Sequence, residues 1–198
     1  PLWSRGLGDV YKRQAYHLFV LLSSLIGDSL ILYASFRRDA FKLNEFIVSI
    51  LQHIAASDRL MAFSSAFPMA ISLMNNLWVL GNALCFASVY ISYWVYPAGI
   101  MFIAVMSTSK FLLLKCPLRT SYWTKKRGHQ VCFSIWVLCL LISSLTLLVQ
   151  GKYDVKFDYR VYDCEHGFNV EASKIIVPII SITYQFVPSC IIVSTTIP

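Results

Sequence analysis

Residues 78–85 read WVLGNALC and residues 109–119 read SKFLLLKCPLR, and the stretch between them decides the fold. From Gly81 to Met106 there is no charged side chain, and the polar interruptions are Asn82 and scattered serines. Such a run exceeds the roughly 20 residues that cross a bilayer as a helix. It is bracketed by Cys85 at one end and by Lys110, Lys115 and Arg119 at the other. The segment from Trp78 to Leu118 therefore reads as a membrane span with an outer cysteine and an inner basic end.

The rest of the chain has the same character. Of 198 residues, 57% are hydrophobic and 14% are charged, well to the apolar side of a water-soluble domain. The net charge of +7 sits in short loops between apolar runs, which is how membrane orientation is encoded and speaks against nucleic acid as a partner. Cys116, Cys132, Cys139 and Cys190 lie in or beside apolar runs, and no CxxC pair or Cys/His cluster has zinc spacing.

Residues 1–14, PLWSRGLGDVYKRQ, change composition abruptly at Ala15 and resemble translated cloning-adapter sequence, so they are set aside as a non-native leader. Residues 15–198 form the membrane domain, expected to be truncated, with spans at about 16–36, 45–74, 83–114, 131–149 and 173–197. Pro68, late in the second span, and Pro97, inside the third, each predict a local bend. After Gln150 the alternation Tyr153, Val155, Phe157, Tyr159, Val161 predicts a β-hairpin in a polar loop.

Loop charges set the orientation. Three Lys/Arg follow the first span (Arg37, Arg38, Lys42) and six follow the third (Lys110, Lys115, Arg119, Lys125, Lys126, Arg127), but none separates the second from the third. The basic loops face the cytoplasm and the N-terminus lies outside. The loop after the fourth span has a net charge of −1, which suits the outer face. Cys85 and Cys164 then share an oxidising compartment, and a disulfide between them is expected, the alternative being two free thiols. The run Lys125, Lys126, Arg127 serves as a topology signal and lipid contact.

Ordered motifs resemble a rhodopsin-like G-protein-coupled receptor across residues 16–197, five of that family's seven spans. Gly27-Asp28 is similar to its Gly-Asn, and IAASDRL (54–60) to its Leu-Ala-x-x-Asp-Leu-Leu with Asp58 as the acid. Trp78, Gly81 and Cys85 match Trp-x-x-Gly-x-x-x-Cys. Ser109-Lys110-Phe111 through Pro117-Leu118 aligns without a gap to Asp-Arg-Tyr and the following Pro-Leu, and Trp136 and Pro188 match the fourth and fifth spans. The resemblance implies an all-α seven-helix membrane fold in the plasma membrane, an extracellular ligand, a heterotrimeric G protein as partner, and no cofactor.

It also implies roles. Asp58, with Asp28 and Arg59 beside it, marks an inner polar site, and Arg59 is expected to reach Asp28 on the neighbouring span, since residues adjacent on one helix do not face each other. Ser109, Lys110 and Phe111 occupy the G-protein-side switch, although a lysine there can also simply snorkel to headgroups. All three differ from the family pattern, and Lys110 lacks the planar fork of arginine. Gly99 and Thr196 depart as well, so neither sodium at Asp58 nor coupling carries over with the motif. Ser92, Tyr93, Tyr96, Ser181 and Tyr184 would line the ligand cavity or serve as packing. Ser92 stands where amine receptors carry aspartate, which disfavours an amine ligand.

Nothing in the chain points to an enzyme: His17, His53, His129 and His166 are scattered, with no partnered nucleophile or metal spacing. Two alternatives stay open on sequence alone. One is a transporter or channel whose path is lined by Asp28, Asp58 and Arg59. The other is a receptor-like protein that no longer couples.

Overall fold

Each apolar run folds as a helix because in hydrocarbon a backbone amide can be satisfied only within its own segment. The computed structural model describes residues 2–37, 44–75, 78–115, 123–149, 155–158, 163–166, 182, 187–191 and 194. Helix α1 covers Leu2–Phe36, α2 Glu45–Met61, α3 Phe67–Asn75, α4 Gly81–Lys115 and α5 Lys125–Val149. Among the described residues four helical stretches are long and apolar enough to cross a membrane: Leu18–Ser35, Glu45–Asn75, Gly81–Lys115 and Lys125–Thr146.

α2 starts at a cap. Asn44 Oδ1 accepts from the backbone N–H of Phe46 at 2.9 Å, and Glu45 places a negative charge at the positive end of the helix dipole. Between α2 and α3 lies a π-helical turn, Ala62–Ala66, so the second span is one rod with a widened turn in it. Pro68 is the cause: it has no N–H, and its ring would crowd the carbonyl of Ser64 in a regular helix. The bend expected at the proline is thus taken up in the turn before it. Ser72 donates to the Pro68 carbonyl at 2.9 Å.

Gly81 opens α4 with φ 78°, a conformation that favours glycine, and Trp78 donates its indole N–H to the Gly81 carbonyl at 2.8 Å. α4 continues through Pro97 as a single helix. α5 begins at Lys125 rather than near Val131, because apolar content marks where a helix enters lipid and not where it starts. Thr124 caps it, its hydroxyl accepting from Arg127 N at 3.4 Å. α1 likewise runs unbroken across Ala15 into the residues that composition set apart.

The core lies among α2, α4 and α5, where Phe46, Ile50, Ala98, Phe102, Cys132, Ile135 and Cys139 are buried together. Gly128 lets α5 come against α2: a Cβ there would meet the Phe46 carbonyl oxygen and Ser49 Cβ, both at 3.1 Å. Among the described residues α1 packs chiefly on the second span and leaves Phe19, Ile26 and Leu30 exposed, as lipid-facing residues are. Strands β1 (Val155–Asp158) and β2 (Asp163–His166) pair antiparallel with Phe157 opposite Cys164. Of the fifth span expected at 173–197, only Ile182, Val187–Ile191 and Ser194 are described, all helical. Ser181, Tyr184 and Thr196 lie outside the described residues.

Candidate functional site along α4

At the outer end, Cys85 on α4 is joined to Cys164 on β2 by a disulfide, with Cα atoms 5.6 Å apart. The bridge is buried with Val89 against Trp78 and Tyr93, so the hairpin is fastened to the start of α4. Tyr93 lies beside it, and its carbonyl accepts from Ser143 of α5 at 2.9 Å. Ser92 is half-buried and Tyr96, one turn further along the same face, is 50% exposed. Of the proposed cavity residues that are described, Ser92, Tyr93 and Tyr96, it is Tyr93 that packs at the disulfide.

In the middle of the bundle the charged residues do not pair as expected. Asp28 is only 6% exposed and accepts from Ser24 Oγ at 3.1 Å. Arg59 reaches α1, but its Nη2 donates to Ser29 Oγ at 2.7 Å. Among the described residues no Asp28–Arg59 ion pair forms, and Arg59 Nε is buried without a partner. The reason is angular: Ser29 and Asp28 are neighbours on a helix and point about 100° apart, and Arg59 lies on the Ser29 side. Asp58 opens instead on a separate cavity of about 360 Å³, lined also by Tyr16, Ser24, Ser65 and Met69. Ser24 therefore stands between the two acids, bonded to one and lining the cavity of the other.

At the inner end, Ser109 is buried and its hydroxyl donates to the Val105 carbonyl. Lys110 is exposed. Phe111 is half-buried, with Lys115 Nζ 4.8 Å from its ring centroid. Pro117 and Leu118 lie outside the described residues.

A further cluster was not visible in the sequence. Trp136 donates Nε1–H to His53 Nδ1 at 3.2 Å, and His53 Nε2 lies 3.1 Å from His129 Nδ1. Trp94 of α4 joins it by donating to the Trp136 carbonyl at 3.1 Å. The two histidines read as unrelated because they are 76 positions apart and neither has a motif around it. Among the described residues no group of three His, Cys, Asp or Glu is placed to hold a metal ion.

A long helical span fastened at its outer end by a disulfide to a hairpin, and carrying a short polar segment at its inner end, is the arrangement of a seven-helix receptor. The profile of the "7 transmembrane receptor (rhodopsin family)" matches residues 27–197, and the chain belongs to that family. It is a multi-pass membrane protein of a receptor family, not of an enzyme family. Curated relatives include human "Cysteinyl leukotriene receptor 1", 21% identical over 93% of this chain and 56% of the relative. "Melanopsin-B" of Xenopus laevis is 26% identical over 73% of this chain and 27% of the relative. "Cephalotocin receptor 1" of Octopus vulgaris is 25% identical over 77% of this chain and 37% of the relative. The chain thus spans between about a quarter and just over half the length of these relatives.

Proposed function

We propose that this chain forms part of a plasma-membrane G-protein-coupled receptor, with its N-terminus outside. An extracellular ligand binds near Tyr93, and its binding shifts the inner end of α4 against a heterotrimeric G protein. The observation that carries this reading is the continuity of α4. Its 35 residues, about 50 Å at helical rise, join the disulfide at Cys85 to Ser109, Lys110 and Phe111 in one rigid element. A ligand that favours one position of that helix at its outer end biases the other end by the same free energy.

Asp58 and its cavity serve as the inner polar site in this reading, with Ser24, Asp28, Ser29 and Arg59 holding α1 against the second span. The matched relatives are named for melanopsin, cysteinyl leukotrienes and cephalotocin, so no single ligand follows from them. Ser92 in place of an acid favours a ligand without an ammonium group to pair. Lys110 keeps a cation at the switch but not a bidentate donor, which favours weak coupling over strong. Guanine-nucleotide exchange on purified G proteins, driven by membranes carrying the receptor, tests the proposal. Exchange above that of control membranes supports it, and equal exchange across all G-protein classes supports a receptor-like protein that does not couple.

A further inference from the structure

Two neutral imidazoles offer one ring acceptor each, and in the His53–His129 pair both are taken. The indole nitrogen of Trp136 can only donate, so His53 Nδ1, 3.2 Å away, is unprotonated. A neutral His53 then carries its proton on Nε2 and donates it to His129 Nδ1 at 3.1 Å. His129, accepting on Nδ1, holds its own proton on Nε2. The row from Trp136 through His53 to His129 therefore has no spare acceptor, and one more proton must break one of its two hydrogen bonds. A metal ion does not fit the pair, because a cation on His53 Nε2 would send that ring's proton to Nδ1, against the Trp136 N–H.

The two bonds are held unequally. Trp136 is fixed, since its ring meets Trp94 and Phe102 edge-on at 5.3 Å each and its carbonyl accepts from Trp94 at 3.1 Å. His129 is half-buried in the second turn of α5, beside a groove of about 900 Å³ that it lines with His53, Lys125 and Lys126. It is the member with room to turn away. The charges around the pair do not offer an imidazolium a partner where it now stands. From α5 come the two ammonium groups of Lys125 and Lys126, and among the described residues no carboxylate lines the groove. α4 meets His53 with the Phe102 ring, 5.8 Å between centroids, and α1 meets the neighbouring Gln52 with Ser35 at 3.1 Å. On α2 itself, Glu45 stands at the helix start and Asp58 opens on the separate cavity.

We propose that the His53–His129 pair is a proton-binding site that takes up one proton on His129 Nδ1 and thereby releases α5 from α2. The proton comes from water in the groove. It occupies the lone pair that accepted from His53, so the bond between the histidines is lost while His53 keeps Nδ1 for Trp136. His129, now an imidazolium with two N–H groups, turns into the groove, where water solvates both. The neighbouring Gly128 is where α5 lies closest against α2, so the lost bond is one that crosses this contact. Uptake and release reverse each other and no other group is consumed. That the protons are cytoplasmic rests on the receptor reading, which places the basic loop at Lys125 and Lys126 inside. The proton count does not rest on that reading, and its test is independent of coupling.

Nitrogen-15 spectra of the purified, histidine-labelled chain in mixed micelles test this, with the two rings assigned from His53→Asn and His129→Asn. At about pH 8 both rings are expected to be neutral with the proton on Nε2, and at about pH 5.5 His129 is expected to be doubly protonated while His53 stays neutral. A proton on His53 Nδ1 at the higher pH, two doubly protonated rings at the lower, or no uptake by His129 would each overturn the site. Unfolding temperature reads the release of α5. Between the same two pH values the native chain is expected to lose roughly 2–4 °C more than His53→Asn/His129→Asn, which puts an amide oxygen in place of each Nδ1 and removes both titrating rings. Equal losses would overturn the link between proton uptake and the contact of α2 with α5. The spectra of the native chain decide the proton placement even where the double variant does not fold.

Discussion

Trp136 on α5 donates its indole N–H to Nδ1 of His53 on α2 across 3.2 Å, which leaves the proton of a neutral His53 on Nε2, 3.1 Å from His129 Nδ1. The Trp136 ring also meets Phe102 and Trp94 edge-on, each at 5.3 Å between centroids, so α2, α4 and α5 share one residue. Trp136→Phe keeps the ring packing but leaves His53 without its donor. It is expected to destabilise the bundle by about 1–3 kcal/mol. Unfolding in mixed micelles measures the loss. In the double variant Trp136→Phe/His53→Phe the cost should fall short of the sum of the single costs, and strict additivity would show that the bond contributes nothing.

Gly128 and Gly99 separate packing from helix propensity. Alanine is the better helix former by roughly 1 kcal/mol at either position. At Gly128 the new Cβ meets the backbone oxygen of Phe46 at 3.1 Å, an atom that cannot move without shifting α2. Overpacking of this kind costs about 1–3 kcal/mol, so Gly128→Ala should be net destabilising. At Gly99 the nearest atom is Ser57 Oγ at 3.5 Å, an ordinary contact, and Gly99→Ala should be neutral or stabilising. Thermal unfolding of the two variants should therefore shift in opposite directions, or at least in that order.

Arg59 rests on Ser29 rather than on Asp28. Reversing both charges, Asp28→Arg with Arg59→Asp, should consequently fail to restore the surface expression that each reversal lowers. Asp28→Asn should be tolerated, because Ser24 can donate to the amide oxygen as it does to the carboxylate. Flow cytometry of an extracellular tag reads both results, and recovery in the double reversal would indicate a direct ion pair.

The disulfide joins residues 79 positions apart and carries the hairpin to α4. Cys164→Ser should cost about 2–5 kcal/mol, the range for a native bridge. Reduction of the native protein should lower its unfolding temperature in the same direction. A variant with unchanged stability would mean that the hairpin docks without the bond.

The first four spans and their order are legible in the sequence because length of apolar run is local. So is the outer anchor, since Trp78, Gly81 and Cys85 fall within eight residues and Trp78 bonds to Gly81 inside that segment. Contacts between helices are another matter. The reach of Arg59 to α1 could be foreseen, but its choice of Ser29 over Asp28 depends on the relative rotation of two helices, which no local pattern records. The His53–His129–Trp136 cluster escaped for the same reason: it exists only because Gly128 lets α5 lie close to α2. Pro68 announced an irregularity, and the widened turn at Ala62–Ala66 shows which backbone groups absorb it. Loss of the fork at Lys110 was readable directly, because it is a change of side-chain chemistry at a fixed register.

The account stands most directly on whether the inner end of α4 acts on a G protein. The decisive measurement is ligand-free nucleotide exchange on purified G proteins by membranes carrying the receptor with Lys110, with Lys110→Arg and with Lys110→Ala, at matched surface expression. Restoring the planar fork is expected to raise exchange about tenfold over the native form, the scale of one charge-assisted hydrogen bond, and alanine to lower it below the native form. Identical exchange by all three forms, at the level of control membranes, would contradict a switch at Lys110.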